Sequence, residues 1–315
     1  MVVSNEVEEN VVVIGTGTMG SSIALNFASS NIQVKMYGIN NEEIHKAVRL
    51  IKEKVMFLYQ SELISKADVE SIPKNIISTT SLSYALKNSS FIIEAVPENL
   101  ELKQSLFHNI EMLCSRDAII ASNTSSLKPT EISKKLEFQD RIMVTHFWNP
   151  AHLIPLVEIV KGEHTSEEVV ERSMKLMKQI GKQAIKVERE ITGFVGNRLQ
   201  YALFREAQYL LENKVASVED IDTAVETSIG RRLGETGPFK TADMGGLDVF
   251  KSISEYIFPD LAIDRSPLPN LHNHVAKGNY GQKSGNGYYK WSQDFNDEMN
   301  AKREKELVRF LKKDR

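Results

Sequence analysis

A chain of 315 residues exceeds the length at which one hydrophobic core usually stops growing, so two domains are expected. Its 41% hydrophobic and 26% charged residues exclude disordered, collagen-like and disulfide-scaffold classes, and a net charge of -3 without a basic, aromatic-interleaved stripe excludes nucleic-acid binding. The lone Cys114 forms no internal disulfide, residues 1–10 carry Glu6, Glu8 and Glu9 rather than a basic-then-apolar leader, and no apolar run reaches membrane-spanning length. A cytoplasmic protein without membrane partners is expected.

Val11 to Ile14 is a β-branched run ending at Gly15 and reads as a buried strand; Met19 to Ser29 has helical spacing, and a second strand follows around Gln33 to Tyr37. Asn41 to Ser65 carries Ile44, Val48, Ile51, Val55 and Leu58 at intervals of three and four, which predicts an amphipathic helix or a pair of helices. Strands at Phe91 to Val96 and Ala118 to Ser122 alternate with helices at Leu100 to Cys114 and Leu127 to Leu136. Strands at Arg141 to His146 and Leu156 to Val160, a helix at Ser166 to Ile180 and a strand at Gln183 to Val187 complete this half. Such alternation predicts an α/β fold, an N-terminal Rossmann doubly wound parallel sheet. From Phe194 on, helical patterns at Val195 to Asn213, Ser217 to Ile229, Leu247 to Phe258 and Asn296 to Lys313 predict a second, smaller all-helical domain. The expected boundaries are 1–191 and 192–315.

Gly15, Gly17 and Gly20, with Thr16, Thr18 and Met19 between them, form G-x-G-x-x-G directly after a strand and at the opening of a helix. This context suits a dinucleotide: the glycines allow a tight turn and close backbone approach, and the helix N-terminus faces the pyrophosphate. A fold preferring NAD normally ends its second strand in Asp or Glu, and Gly38 stands there instead. No arginine in Ile39, Asn40, Asn41 marks a 2′-phosphate either, so NAD is the default and NADP is not excluded.

His146 ends a strand at the carboxyl edge of the expected sheet, where ligands bind, and an imidazole there can take a hydroxyl proton. A structural histidine is the alternative. Glu158 interrupts the apolar strand Leu156 to Val160 and requires a partner, either His146 or an unrelated lysine. Ser122 to Ser126 follows another strand; Ser126 suits a helix cap, leaving Ser125 to face a substrate. Asn197 and Arg198 open the first helix of the second half and are candidates to reach toward the substrate. No H-E-x-x-H or paired C-x-x-C appears, and no catalytic metal is expected.

Taken together, the chain resembles the 3-hydroxyacyl-CoA dehydrogenase family from Val11 to about Trp291. The resemblance rests on Gly15 to Gly20, Glu94-Ala-Val-Pro-Glu98-Asn99, Ser122 to Ser126, His146-Phe-Trp-Asn149-Pro150, Val157-Glu158, Gly193 to Arg198, Gly237-Pro238-Phe239 and Gly281 to Tyr289. It implies that His146 is the base and Glu158 orients it, and that Ser125 and Asn197 contact the substrate. It also implies that Glu98, Lys103, Asn149 and Lys283 line the NAD site, and that the helical domain supports a homodimer. The implied reaction is reversible oxidation of an L-3-hydroxyacyl-CoA in fatty acid metabolism. A free 3-hydroxy acid, as in gulonate- or carnitine-type relatives, is the alternative, and a non-catalytic dinucleotide-binding protein is a second one. Gly38 in place of the ribose-binding acid, and Arg231, Arg232, Glu235 and Thr236 in place of small apolar residues, depart from the family pattern. Lys46, Arg49, Lys52 and Lys54 are the candidates for contacting CoA.

Overall fold

A computed structural model describes residues 9–314; Glu6, Glu8 and Arg315 lie outside it. The described residues up to Gly196, joined by those from Arg303 on, form one compact unit, and Asn197–Lys302 forms another.

The first unit opens with β1 (Val11–Ile14), α1 (Thr18–Ser29), β2 (Val34–Tyr37), α2 (Asn41–Gln60), α3 (Lys66–Ser71) and β3 (Ile76–Thr79). It continues through α4 (Leu82–Leu86), β4 (Phe91–Glu94), α5 (Leu100–Leu113), β5 (Ile119–Ser122), α6 (Pro129–Ser133) and β6 (Ile142–Phe147). β7 (Leu156–Lys161), α7 (Glu167–Gln179) and β8 (Gln183–Val187) close it. The strands form one eight-stranded sheet in the order β3-β2-β1-β4-β5-β6-β7-β8. β1 is flanked by β2 and β4, so the order reverses beside it, and a crevice opens at the carboxyl ends of these strands.

β1 shows why the sheet is two-sided. Val11 and Val13 point into a cluster with Ile23, Phe27 and Ile51 from α1 and α2, whereas Val12 and Ile14 point into one with Phe107, Ile110 and Ile132 from α5 and α6. Burial on both faces turns the alternating pattern into a continuous apolar run. α2 is one helix with an apolar stripe at Ile44, Ala47, Ile51, Val55 and Leu58, capped by Asn40, whose side chain accepts from Glu43 N.

One departure from an all-parallel sheet concerns β7, which runs antiparallel to β6. The segment between them, residues 148–155, is too short for the crossover that parallel neighbours require. β8 returns parallel to β7 through α7, so the last two strands run against the other six.

The second unit contains most of α8 (Gly196–Glu212), then α9 (Val218–Ala224), α10 (Gly230–Leu233), α11 (Pro238–Gly245), α12 (Leu247–Ile257) and α13 (Pro269–Ala276). Ser217 caps α9, and Pro238 starts α11 at a position where its missing N–H costs nothing. Phe204, Leu211, Ile221, Leu271 and Tyr288 line a half-open cavity of about 520 Å3 within this unit. α14 (Gln293–Lys313) ends in the first unit: Leu307, Val308 and Leu311 pack against the α1 and α2 cluster, and Lys312 pairs with Glu62 at 3.0 Å. No helix among the described residues is long and apolar enough to cross a membrane.

Candidate active site

At the crevice, the turn after β1 is shaped by its glycines. Gly15 has φ +116°, and a Cβ there would lie 2.5 Å from Ala95 O; a Cβ on Gly20 would lie 2.1 Å from Gly15 O. These two positions admit no side chain. Gly17 differs: nothing lies within 4 Å of its Cβ position, so its lack of a side chain leaves open space at the N-terminus of α1. That helix has no side-chain cap and no acidic residue in its first turn, so its N–H groups and dipole remain available to an anion. An exposed glycine cradle on an uncapped helix fits the pyrophosphate of NAD.

Facing this loop, β4 ends in Glu94, which is fully buried and saturated. Its carboxylate accepts from Lys103 Nζ at 2.6 Å, Val96 N at 2.7 Å and Ser122 Oγ at 2.5 Å. Lys103, only 1% exposed, directs its three N–H groups to Glu94, Val96 O and Glu98, the last at 3.5 Å. Glu98 also accepts from Thr124 and, at 3.0 Å, from Ser126 Oγ. Burial pushes the Glu98 pKa up, but the Thr124 hydrogen bond, the Lys103 charge and the Ser126 hydrogen bond outweigh it, holding the carboxyl below its ordinary value. The turn after β4 is thereby fastened to the turn after β5. Ser126 is used in this way rather than as a helix cap: Thr124 Oγ1 accepts from Ser126 N and Leu127 N, and α6 begins only at Pro129.

The third part of the site is a single rung of the antiparallel ladder. His146 and Glu158 are register partners, so their side chains share a face, and His146 Nδ1 meets Glu158 Oε2 at 2.7 Å. Trp148 Nε1 donates to the same oxygen at 3.1 Å. The other oxygen accepts from Val195 N at 2.8 Å and Gly196 N at 3.0 Å. Glu158 is 0% exposed. Burial raises its pKa, yet the hydrogen bonds from His146, the Gly196 and Val195 N–H groups and Trp148 outweigh that effect, so it is held below the usual carboxylate value. With Nδ1 engaged by a carboxylate, proton exchange with a bound molecule falls to Nε2. Phe194 and Trp148 flank the imidazole at 5.5 and 5.6 Å between ring centroids and restrict its rotation.

Ser125 lies exposed after β5 and Asn149 exposed after β6, both at the carboxyl edge that carries His146. Asn197, half-buried, and Lys283, exposed, belong to the second unit. Lys54 is not a surface lysine: its ammonium lies against the first turn of α1, donating to Ser22 Oγ at 2.6 Å, Ser21 Oγ at 3.1 Å and Thr18 O at 3.3 Å. Burial pushes it down to about 8. Lys46 is paired with Glu42 and Glu43, which leaves Arg49 and Lys52 as candidates on α2. Glu94 and Trp148 are site residues that motif reading missed. Glu94 carries a signal like that of Glu158, a carboxylate within or at the end of an apolar strand; Trp148 carries none, because an indole beside a histidine is ordinary packing.

The model for the 3-hydroxyacyl-CoA dehydrogenase NAD binding domain matches residues 10–191, and that for the 3-hydroxyacyl-CoA dehydrogenase C-terminal domain matches residues 193–291. The chain is 31% identical over 303 residues to 5-formyl-3-hydroxy-2-methylpyridine 4-carboxylate 5-dehydrogenase of Mesorhizobium japonicum, covering 95% of this chain and 96% of that one. It is 32% identical over 286 residues to a probable 3-hydroxybutyryl-CoA dehydrogenase of Bacillus subtilis, covering 90% and 98%. Among solved structures, a 5-formyl-3-hydroxy-2-methylpyridine 4-carboxylic acid 5-dehydrogenase described as an NAD+-dependent dismutase gives a TM-score of 0.88 at 31% identity, covering 97% and 99%. The (S)-3-hydroxybutyryl-CoA dehydrogenase of Ralstonia eutropha gives 0.74 at 33%, covering 91% and 100%.

Proposed function

Because the chain belongs to the 3-hydroxyacyl-CoA dehydrogenase family and is an NAD-dependent dehydrogenase acting on a hydroxyl group, we propose that its substrate is an L-3-hydroxyacyl-CoA, oxidised reversibly to the 3-ketoacyl-CoA. The observation that carries the mechanism is the buried His146 and Glu158 pair at 2.7 Å. When bound, NAD supplies the hydride acceptor. On the protein side, His146 Nε2 takes the proton of the substrate 3-hydroxyl in oxidation and returns it in reduction. Glu158, held ionised by its four donors, fixes the tautomer of His146 and stabilises the imidazolium. The glycine loop holds the pyrophosphate, and Asn149 contacts the cofactor. Lys103 acts one step back, positioning Glu98 through the network it shares with Glu94. Ser125 donates to the substrate oxygen.

A free carboxylic acid is the second reading of the substrate. It is favoured by the fit over nearly the whole length to the pyridine-carboxylate enzyme and by the inward turn of Lys54, which removes one candidate CoA contact. Arg231 and Arg232 are then the residues to grip the carboxylate in a bidentate fork. NADH absorbance followed with acetoacetyl-CoA, and separately with free acetoacetate, decides between them. Efficient turnover of the thioester supports the first reading; turnover of the free keto acid alone overturns it and leaves the chemistry of His146 intact.

We also propose that the helical unit carries a homodimer interface. Phe239 is 86% and Tyr256 87% exposed, and Met244, Leu247, Val249 and Ile253 extend this apolar surface across α11 and α12. Exposed large apolar side chains on two successive helices support this reading.

A further inference from the structure

Gly38 follows β2, and its N–H continues the sheet ladder to Thr79 O at 3.1 Å. In a Rossmann sheet this is where a carboxylate receives the ribose hydroxyls of NAD. The backbone does not demand glycine there, since Gly38 is not among the residues with positive φ. Its neighbours do. A Cβ on Gly38 would stand 2.8 Å from Thr16 Cγ2 and 2.9 Å from Ile44 Cγ1, closer than side chains pack. Both neighbours are branched at Cβ and buried, so neither moves aside by a free change of rotamer. Thr16 Oγ1 lies 3.5 Å from the same point.

We propose that Thr16 and Gly38 form one coupled recognition element, in which the Thr16 side chain fills the volume of a ribose-binding acid and presents a neutral hydroxyl in its stead. A carboxylate at this place would accept from the ribose 2′-hydroxyl and repel a 2′-phosphate. The hydroxyl of Thr16 does the first without the second, so the chain discriminates weakly between NAD and its 2′-phosphorylated form. The surroundings supply no substitute charge. Asn40 spends its side-chain oxygen on Glu43 N at 2.9 Å, and Glu42 and Glu43 are engaged by Lys46 at 2.9 and 3.7 Å.

Thr16→Ala, Gly38→Asp and the double variant test this beside the parent chain, through NADH and NADPH binding measured by fluorescence without substrate and through thermal unfolding. In the parent, the two dissociation constants should lie within about tenfold of each other, since no charge-assisted contact separates them. Gly38→Asp alone should lower Tm and fail to tighten NADH. Adding Thr16→Ala should restore much of the lost Tm, tighten NADH about tenfold and weaken NADPH about tenfold, a charge-assisted hydrogen bond gained and a repulsion introduced. Thr16→Ala alone should weaken both nucleotides. The coupling is overturned if Gly38→Asp alone keeps the parent Tm and tightens NADH; the hydroxyl role is overturned if Thr16→Ala binds both nucleotides as the parent does. Should Gly38→Asp not fold, folding of the double variant supports the coupling and its misfolding counts against it. The inference rests on the cofactor and not on the substrate, so failure of the acyl-CoA assay leaves it standing.

Discussion

His146 is the residue on which the chemistry turns, and its environment makes a specific demand of any replacement. Glutamine keeps a hydrogen bond to Glu158 but cannot take a proton, so His146→Gln should lower kcat by about 10²- to 10⁴-fold while NADH binding, read by fluorescence, stays near the parent value. Undiminished turnover would remove His146 from the mechanism. His152, a few residues on, behaves oppositely. Its Nδ1 is buried with no partner among the described residues, and its ring stands edge-on to Phe57 at 6.5 Å. Burial pushes its pKa down to about 4 from 6.5, and the charges of Lys54 and Lys182 push the same way. The folded chain therefore binds fewer protons than the unfolded one between these values, and stability should fall as pH drops from 6.5 to 4, by an amount on the order of 2 kcal/mol once solvent screening is allowed for. Replacing His152 with leucine should flatten that part of a Tm-against-pH curve; an unchanged slope would assign the loss to other groups. Individual residues were legible in the sequence where an isolated polar group stood in an apolar run, as Glu158 does. They were hidden where a common residue does uncommon work, as with the indole N–H of Trp148 and the inward-turned Lys54.

Elements with strong periodicity announce themselves, and those with weak burial do not. β1 and α2 follow from their patterns because one is buried on both faces and the other is striped along one. β3 escapes the pattern because it lies at the sheet edge, where every one of its residues is only half-buried and Ser78 and Thr79 are tolerated. α11 and α13 are short, start at prolines and show no long apolar stripe. The direction of β7 is legible only through loop length, because strand patterning is the same in either direction. At the start of α8 two elements meet without slack. A Cβ on Gly196 would stand 2.3 Å from Trp148 Cζ2, so Gly196→Ala has to displace the indole that donates to Glu158. It should cost about 1–3 kcal/mol of stability, as overpacking does, and lower kcat beyond any change in KM. An alanine variant with parent Tm and kcat would show that the indole has room to move.

At the scale of the molecule, the two-part architecture follows from a change of periodicity after β8, from alternating strands and helices to helices alone. Family membership adds the substrate class as a proposal; ester and acid differ at C1, two bonds from the reacting C3, where a neutral thioester and a charged carboxylate ask for different partners. The apolar surface of α11 and α12 makes association testable. Phe239→Glu combined with Tyr256→Glu should convert a dimer into a monomer in light scattering after size-exclusion chromatography, because two charges would be desolvated at each copy of the interface. A parent chain that is already monomeric at micromolar concentration would refute the interface outright.

The pairing of His146 with Glu158 across one ladder rung bears on how such a site can change over time. The twelve-residue interval between them is a property of the connecting segment 148–155 and not of the chemistry, since the two strands fix the contact whatever length of chain joins them. Insertions and deletions confined to that segment preserve the pair. A one-residue slip between the strands destroys it, turning the acid to the opposite face of the sheet while leaving every residue in place. The catalytic pair is thus tolerant of lineage-to-lineage variation in loop length and intolerant of misregistration, and a search for distant kin by fixed spacing would overlook chains that retain the rung.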